Sequence, residues 1–281
     1  MNITNIIKEI EKVDPEVYGR LDSRRSAMKN FASIGGKIAL AAVPLALGAV
    51  FQKAYAGTRG VTGDTVVDIL NYALTLEYLE AAFYAKGVAS PGLIPAGDTA
   101  AGIALIAKHE MNHVDFLKAA IGAAGGKAVD APQFDFTAKG TFNDVFSNFE
   151  TFLNVAQTFE DTGVRAYKGR AAEIVGGGDY LTAALRIHSV EARHAAHIRG
   201  LRKAYGSGIG NVKPWITGKM SGINSSAVQA SYDGEELTSQ ATISIVNING
   251  FSISADAASE AFDEPLTKDQ VLAIVGPFFK S

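Results

Sequence analysis

Residues 107–117 read AKHEMNHVDFL, and this stretch places Glu110 three residues before His113. The same spacing occurs again in the stretch HSVEARHAAHIR, in which Glu191 precedes His194. Residues three apart are neighbours on one face of a helix, so each pair brings a carboxylate and an imidazole together. Apolar residues surround both pairs at helical spacing. The two stretches therefore predict two helices that each carry a Glu-x-x-His pair on an apolar face.

Two further glutamates lie in apolar helical stretches that precede these pairs. Glu77 occurs in LNYALTLEYLEAAFY and Glu160 occurs in FEDTGVRAY, each near the middle of a predicted helix. The interval along the chain from Glu77 to Glu110 is nearly equal to the interval from Glu160 to Glu191. The sequence therefore predicts two similar helical hairpins, each with a single glutamate followed by a Glu-x-x-His pair.

The charges on these faces predict a metal site. A buried carboxylate without a partner is costly, few Lys or Arg residues lie on these faces, and four carboxylates balance two divalent cations. The chain has no cysteine, so thiolate sites, disulfides and cysteine nucleophiles are excluded, and zinc, iron or manganese is favoured. Helix bundles with two iron or two manganese ions use four carboxylates and two imidazoles. The candidate ligands are Glu77, Glu110, His113, Glu160, Glu191 and His194.

Hydrophobic spacing and capping residues predict four helices, at about residues 64–87, 99–123, 141–176 and 179–206. Asp64 is the predicted cap of the first helix, and Gly87 and Pro91 mark its predicted end. The Gly- and Pro-containing link 125–140 can extend over about 50 Å at ~3.3 Å per residue, whereas a helix of about 25 residues is about 38 Å long. The link can therefore run the length of the bundle, which permits a crossover connection as well as an up-and-down one.

Residues 1–56 have the features of an export signal. Arg24 and Arg25 lie in SRRSAMK, and the apolar run 38–51 that follows is shorter than the roughly 20 residues of a membrane-spanning helix. AYA at 54–56 supplies the small residues of a cleavage site. We therefore expect a twin-arginine signal and a periplasmic mature protein. The predicted segments are a signal at 1–56, a helical bundle at 57–206 and an extension at 207–281.

The extension has a different composition, rich in Ser, Gly and Asn. The stretch TISIVNINGFSIS alternates loosely and contains Asn249-Gly250, which predicts a weak hairpin. Thr267 and Gln270 match a capping box, which predicts a short helix. We expect this segment of mixed structure to pack on the bundle or to form an interface, and a homo-oligomer can form through either part.

The stretch HEMNH also matches the H-E-x-x-H signature of zinc metallopeptidases, in which His109 and His113 bind zinc and Glu110 is the general base. That interpretation needs a third ligand. The extended pattern HExxHxxGxxH fails because Phe116 and Ala119 occupy its glycine and histidine positions, and no glutamate occurs between residues 111 and 149. It also leaves the second Glu-x-x-His pair unexplained, so the peptidase is the weaker hypothesis.

The four quoted stretches resemble, in order, the metal-bearing helices of the ferritin-like superfamily. The similarity covers roughly residues 62–205 and, less clearly, the tail AFDEPLTKDQVLAIVGPF, and the likeness is to the bacterial ferritin-like family that includes plant desiccation-related proteins. It implies an all-α, ferritin-like four-helix bundle with a long crossover, with Glu77 and Glu160 as single-helix ligands. Relatives include ferroxidases, oxygen-activating enzymes, peroxide-reducing proteins and manganese catalases. The expected activity is therefore Fe(II) oxidation or the handling of peroxide at two iron, or manganese, ions.

Several other side chains are candidates for contacts around the ligands: Glu80, Tyr84, Tyr167 and His188. The tyrosines are expected in core packing, with donation to a metal-bound oxygen or electron transfer as the alternative. His109 and His197 are expected at the surface or in hydrogen bonds. The net charge of −3 gives no sign of a nucleic-acid partner. The alternative function is a non-catalytic, stress-protective bundle in which glutamates and histidines form a metal-free hydrogen-bonded network.

Overall fold

The computed structural model describes residues 65–175, 177–206 and 212–280. The predicted export signal lies outside these residues. Four long helices make up most of the described chain, which confirms the prediction of an all-α bundle: α1, Val66–Ala89; α2, Asp98–Ala123; α3, Phe149–Ala171; and α4, Asp179–Tyr205. No described helix is long and apolar enough to cross a membrane.

The start of α1 is fixed by a reciprocal cap one residue after the predicted one. The Thr65 hydroxyl accepts a hydrogen bond from the Asp68 backbone N–H at 3.2 Å, and the Asp68 carboxylate accepts one from the Thr65 N–H at 2.9 Å. These bonds satisfy two N–H groups that a helix start otherwise leaves without partners, so the prediction of Asp64 as the cap is wrong. The helix continues through Gly87 to Ala89.

The start of α3 also differs from the prediction. Residues 141–147 form turns, and the helix begins at Phe149 rather than near Thr141. Asn148 is the cap, since its side-chain oxygen accepts from the Glu150 N–H at 3.0 Å. Asparagine is a favoured residue at the N-terminal cap of a helix. Because α3 begins at Phe149, the link between α2 and α3 is longer than predicted.

The four helices pack as two hairpins. α1 lies along α2, and α3 lies along α4; in addition, α1 contacts α3 and α2 contacts α4. The link between α2 and α3 must therefore join two helices that lie diagonally across the bundle.

Contacts along the link show that it follows α1 from one end to the other. Near its start, the Asn71 amide donates to the Lys127 carbonyl at 3.1 Å, and the Tyr78 hydroxyl donates to the Val129 carbonyl at 3.3 Å. Near its end, the Lys86 ammonium lies 4.4 Å from the centre of the Phe146 ring. The predicted crossover connection is thus confirmed, and the up-and-down alternative is excluded.

The crossover brings an aromatic cluster to the end of the bundle where α1 finishes and α3 begins. The rings of Phe83 and Phe152 stack with centroids 4.7 Å apart, and both are fully buried. Phe136 and Phe146 from the link contact Phe83 edge-on or tilted. Large rings therefore fill this half of the bundle core, and smaller side chains line the opposite half.

The extension contains short elements: the strands β1, Ser239–Gln240, and β2, Ile243–Ser244, and the helices α5, Ala255–Ser259, and α6, Lys268–Val275. The two strands pair antiparallel around a turn at Ala241 and Thr242. The predicted hairpin at Asn249-Gly250 is wrong, because those residues lie in a 3₁₀ turn instead. The predicted capping box of Thr267 and Gln270 is present at the start of α6.

Buried arginines join the extension to the bundle. The guanidinium of Arg165, on α3, lies 2.8 Å from the Glu235 carboxylate and donates to the backbone carbonyls of Ser231 and Asp233. Close packing also requires Gly169, since a Cβ there would collide with the Leu266 carbonyl. The extension therefore packs on α3 through paired, buried contacts.

Candidate metal centre

The fold brings all six candidate ligands together in the middle of the bundle. The four carboxylate residues are 0% exposed, and the His113 and His194 side chains are 12% and 5% exposed. Each helix contributes: Glu77 from α1, Glu110 and His113 from α2, Glu160 from α3, and Glu191 and His194 from α4.

The six residues form two overlapping groups, and each group can hold a metal ion. Glu77 and His113 complete the first group, and Glu160 and His194 complete the second. Glu110 and Glu191 belong to both groups, and the ligand atoms within each group lie within 4.8 Å of one another. Because two carboxylates belong to both groups, this arrangement fits two metal ions that are bridged by carboxylates.

His113 lies among three carboxylates. Its Nδ1 is 3.1 Å from Glu110 Oε2, 3.2 Å from Glu77 Oε2 and 3.3 Å from Glu191 Oε1. Burial acts to lower the pKa of His113, but the neighbouring glutamates outweigh it and raise the pKa to about 12. In the metal-free protein, Nδ1 of His113 therefore carries a proton that balances part of the carboxylate charge. A metal ion in the first group would replace this proton.

The second group contains several buried atoms that have no hydrogen-bond partner. His194 Nδ1 lies 2.8 Å from Glu110 Oε1, but neither atom has hydrogen-bond geometry. One oxygen of Glu160 and both oxygens of Glu191 also have no partner. Buried polar atoms without partners are rare and costly. The orphaned atoms are all oxygen or imidazole nitrogen, so the residues present fit a first-row metal ion such as iron or manganese.

The surroundings of the four carboxylates shift their pKa values in different directions. Burial is the largest influence and raises the pKa of Glu77 to about 7 and that of Glu191 well above its usual range. Burial acts in the same direction on Glu110, but the imidazoles of His113 and His194 outweigh it and hold its pKa at about 2. The cluster therefore contains more carboxylates than its own imidazoles can balance.

Two tyrosines support the outer ligands. The buried Tyr84 hydroxyl donates to Glu160 Oε1 at 2.5 Å, and the buried Tyr167 hydroxyl donates to Glu77 Oε1. Each tyrosine therefore fixes one oxygen of a glutamate that belongs to a single group. The alternative role of these side chains as core packing alone is excluded by these bonds.

Glu80 lies beside the cluster rather than in solvent. It is 4% exposed, and burial followed by the charges of nearby glutamates, Glu191 first, raises its pKa well above the usual range. A Cβ on Gly163 would lie 3.0 Å from Glu191 Oε2 and 3.3 Å from Glu80 Oε1. The glycine thus makes room where these two carboxylates meet.

The remaining histidines separate into one that contacts the cluster and two that do not. His109 Nδ1 lies 2.9 Å from His194 Nε2, which leaves the other nitrogen of His194 directed at the second group. His188 Nδ1 donates to the Val164 backbone carbonyl at 3.0 Å, and its predicted place around the ligands stays a prediction. His197 packs against Gly102. The peptidase hypothesis needs His109 as a zinc ligand, but His109 belongs to neither group.

The sequence predicted that His109 lies at the surface or in a hydrogen bond, or binds zinc in the peptidase hypothesis, but it did not predict the contact with His194. Consecutive residues on a helix differ by about 100° in direction, so His109 points away from Glu110 and toward α4. No signal in the sequence identifies this contact, because the packing of α2 against α4 decides which side of α2 faces His194.

Comparison with protein families agrees with this geometry. Residues 65–204 match the ferritin-like domain family, and they span almost all of α1 to α4. This part of the chain is therefore a ferritin-like domain with a buried acidic and histidine cluster that could bind metal. The comparison with curated proteins finds no match. The narrower likeness to desiccation-related proteins stays a prediction.

Proposed function

We propose that this protein is an exported oxidoreductase that holds two iron ions between its four helices and oxidises Fe(II) with dioxygen or peroxide. Manganese is the alternative metal. The observation that carries the proposal is the sharing of Glu110 and Glu191 by two groups of buried ligands. Two groups of ligands that share carboxylates lie close together, as the two ions of a dinuclear centre do at about 3.5–4 Å.

The residues of the chain have distinct roles in this proposal. Glu110 and Glu191 would hold both ions, while Glu77 with His113 and Glu160 with His194 would each complete one position. Tyr84 and Tyr167 keep the outer carboxylates in a fixed orientation, and His109 does the same for His194; such supporting bonds raise metal affinity. The apolar helix faces around the cluster exclude water.

Bound iron would supply the redox chemistry, since two Fe(II) ions each give one electron and two protons accompany the reduction of O₂ to H₂O₂ or of H₂O₂ to water. The six ligands do not choose between these oxidants. Carboxylates with raised pKa values, such as Glu191, hold protons in the metal-free protein and release them when metal binds.

Metal stoichiometry tests the proposal. Chelated protein is titrated anaerobically with Fe(II) and, separately, with Mn(II), and bound metal is measured by elemental analysis. We expect about two ions per chain, and loss of at least one ion in Glu191→Ala and in His194→Ala. Absence of binding in the folded wild type would support the metal-free structural bundle instead. If His109→Ala empties the site while His194→Ala does not, the peptidase hypothesis gains and the dinuclear one fails.

The periplasmic location is part of the proposal and needs its own test. It is supported by SRRSAMK, the apolar run and AYA within the segment 1–56. Replacement of Arg24 and Arg25 by lysine should keep the precursor inside the cell. N-terminal sequencing of periplasmic protein should find Gly57 first, and an intact Met1 there would contradict cleavage after Ala56.

A further inference from the structure

The half of the bundle core opposite the aromatic cluster around Phe83, called the phenylalanine cluster below, is incompletely filled. A cavity of about 20 Å³ lies between all four helices, where α1 begins and α2 ends. Apolar side chains dominate its lining, which includes Leu70 and Ala73 from α1, Leu117 from α2, Tyr167 from α3, and Ala184 and Ile187 from α4. The rings of Tyr72, Phe116 and Tyr180 complete the lining on its outer side.

One wall of this cavity belongs to the metal cluster. Tyr167 lines the cavity, and its hydroxyl donates to Glu77. Ala73, also in the lining, precedes Glu77 by four residues on α1 and therefore lies on the same helix face. The cavity thus abuts the first ligand group through a tyrosine and a glutamate that are already bonded to each other.

The size of the cavity limits its occupant to a very small molecule. A cavity needs about 10–15 Å³ by this measure to hold one water-sized molecule, so the 20 Å³ available exclude organic substrates of ordinary size.

The polarity of the lining decides which small molecule fits. Water and hydrogen peroxide need two or more polar partners in a buried site. Arg170 is engaged with Glu173 at 2.7 Å and with the Tyr72 ring at 5.5 Å, and Tyr167 is engaged with Glu77. The Tyr72 hydroxyl has no hydrogen-bond partner, but almost all of the surface that lines the cavity is apolar. A molecule that needs no hydrogen bonds is therefore favoured.

We propose that this cavity takes up dioxygen and delivers it to the cluster beside Tyr167. The inference rests on the proposed function, and it identifies dioxygen rather than peroxide as the oxidant that enters here. Other occupants, such as peroxide or water, are outcomes of the tests below.

The first test uses xenon and the metal-free full chain, so it does not depend on iron. Xenon is apolar, and apolar protein cavities bind it. Methyl resonances of Leu70, Leu117 and Ile187 should shift under xenon pressure, whereas those of Leu153, in the phenylalanine cluster, should not. No shift at the first three residues would overturn the proposal, whether or not the protein binds iron.

A matched pair of substitutions links the cavity to the reaction. Ala73→Val fills the cavity, and Ala156→Val is its control, because each alanine is buried and lies four residues before a glutamate of the cluster, Glu77 or Glu160. Ala156 does not line the cavity. Ala73→Val should abolish the xenon shifts, and Ala156→Val should keep them. Ile187→Val enlarges the cavity by one methylene and should increase xenon binding, which keeps the test informative if Ala73→Val fails to fold.

The second test compares oxidants in protein loaded anaerobically with Fe(II). Ala73→Val should slow oxidation by dioxygen about tenfold, equivalent to ~1.4 kcal/mol of added barrier, and should leave the rate with peroxide unchanged. Ala156→Val should change neither rate. An equal slowing with both oxidants, or no slowing with dioxygen, would overturn the proposal. Failure to bind Fe(II) at all would instead overturn the proposed function, while the xenon result would still decide the cavity.

Discussion

Glu191→Gln should stabilise the metal-free protein while it removes metal binding. The Glu191 side chain is fully buried, and neither carboxylate oxygen has a hydrogen bond. A buried polar group left without partners costs about 1–3 kcal/mol. Glutamine has nearly the same size, and its amide group can donate two hydrogen bonds to neighbouring carboxylates. We therefore expect the free energy of unfolding of the chelated protein to rise by about 1–3 kcal/mol.

The matched control is Asp161→Asn, at a buried carboxylate whose partners belong to the chain. Asp161 accepts hydrogen bonds from Arg199 at 2.5 Å and from the Tyr232 hydroxyl at 2.9 Å. Removal of one member of such a buried pair costs about 3–5 kcal/mol. The two substitutions make the same chemical change, but they should have effects of opposite sign.

The assay is urea unfolding of both variants in the presence of a chelator, followed by far-ultraviolet circular dichroism. The midpoint should rise for Glu191→Gln and fall for Asp161→Asn, with the denaturant slope unchanged. If Glu191→Gln destabilised the chelated protein as strongly as the control, the cluster would be a hydrogen-bonded structural network and the metal hypothesis would be refuted. Elemental analysis of the same variant must also show loss of iron.

Three further predictions concern the surroundings of the cluster. His109→Ala should weaken binding of one of the two ions about 10–100-fold, as measured by anaerobic titration, whereas His197→Ala should not. Stability of the chelated protein should fall as pH rises from about 4.5 to 7, because the pKa of Glu77 is raised from 4.5 to about 7 in the folded protein. Over this range the folded state binds a proton that the unfolded state has lost, which contributes about 3 kcal/mol at low pH. A melting temperature that increases with pH over this range would contradict the prediction. Tyr167→Phe should lower the free energy of unfolding by about 1–3 kcal/mol through loss of the bond to Glu77, and an unchanged urea midpoint would show that this bond contributes nothing.

The sequence was most informative where chemistry imposed a spacing. A Glu-x-x-His spacing places both side chains on one face of a helix. Two such pairs with two matched glutamates therefore predict four helices whose ligand-bearing faces meet inside one bundle. The crossover could be stated only as one of two alternatives, because chain length permits it without requiring it. Contacts such as that between Asn71 and Lys127 are set by packing and decided the question.

The errors arose where local propensity gave the wrong signal. The segment before Asn148 contains apolar residues that suggest a helix, but it forms turns that place Phe146 beside Lys86. The hairpin turn in the extension uses Ala241 and Thr242 with positive φ angles of 48° and 71°, a conformation that non-glycine residues rarely adopt. A single sequence therefore pointed to Asn249-Gly250 instead. Contacts between helices, such as that of His109 with His194, have no local signal at all.

The distribution of buried cations favours a metal over a structural network. Arg165 is paired with Glu235, and Arg199 is paired with Asp161, so both guanidinium groups serve the contacts of α3 with α4 and with the extension. Arg202 donates to Gln157 and to backbone carbonyls. Among the ion pairs of the described residues, the cluster glutamates meet only His113 and His194. Buried arginines thus neutralise or bond to groups around the cluster but not the cluster itself. Because an unbalanced buried carboxylate is costly, the cluster depends on protons in the metal-free protein, and metal ions are the partners that would replace those protons.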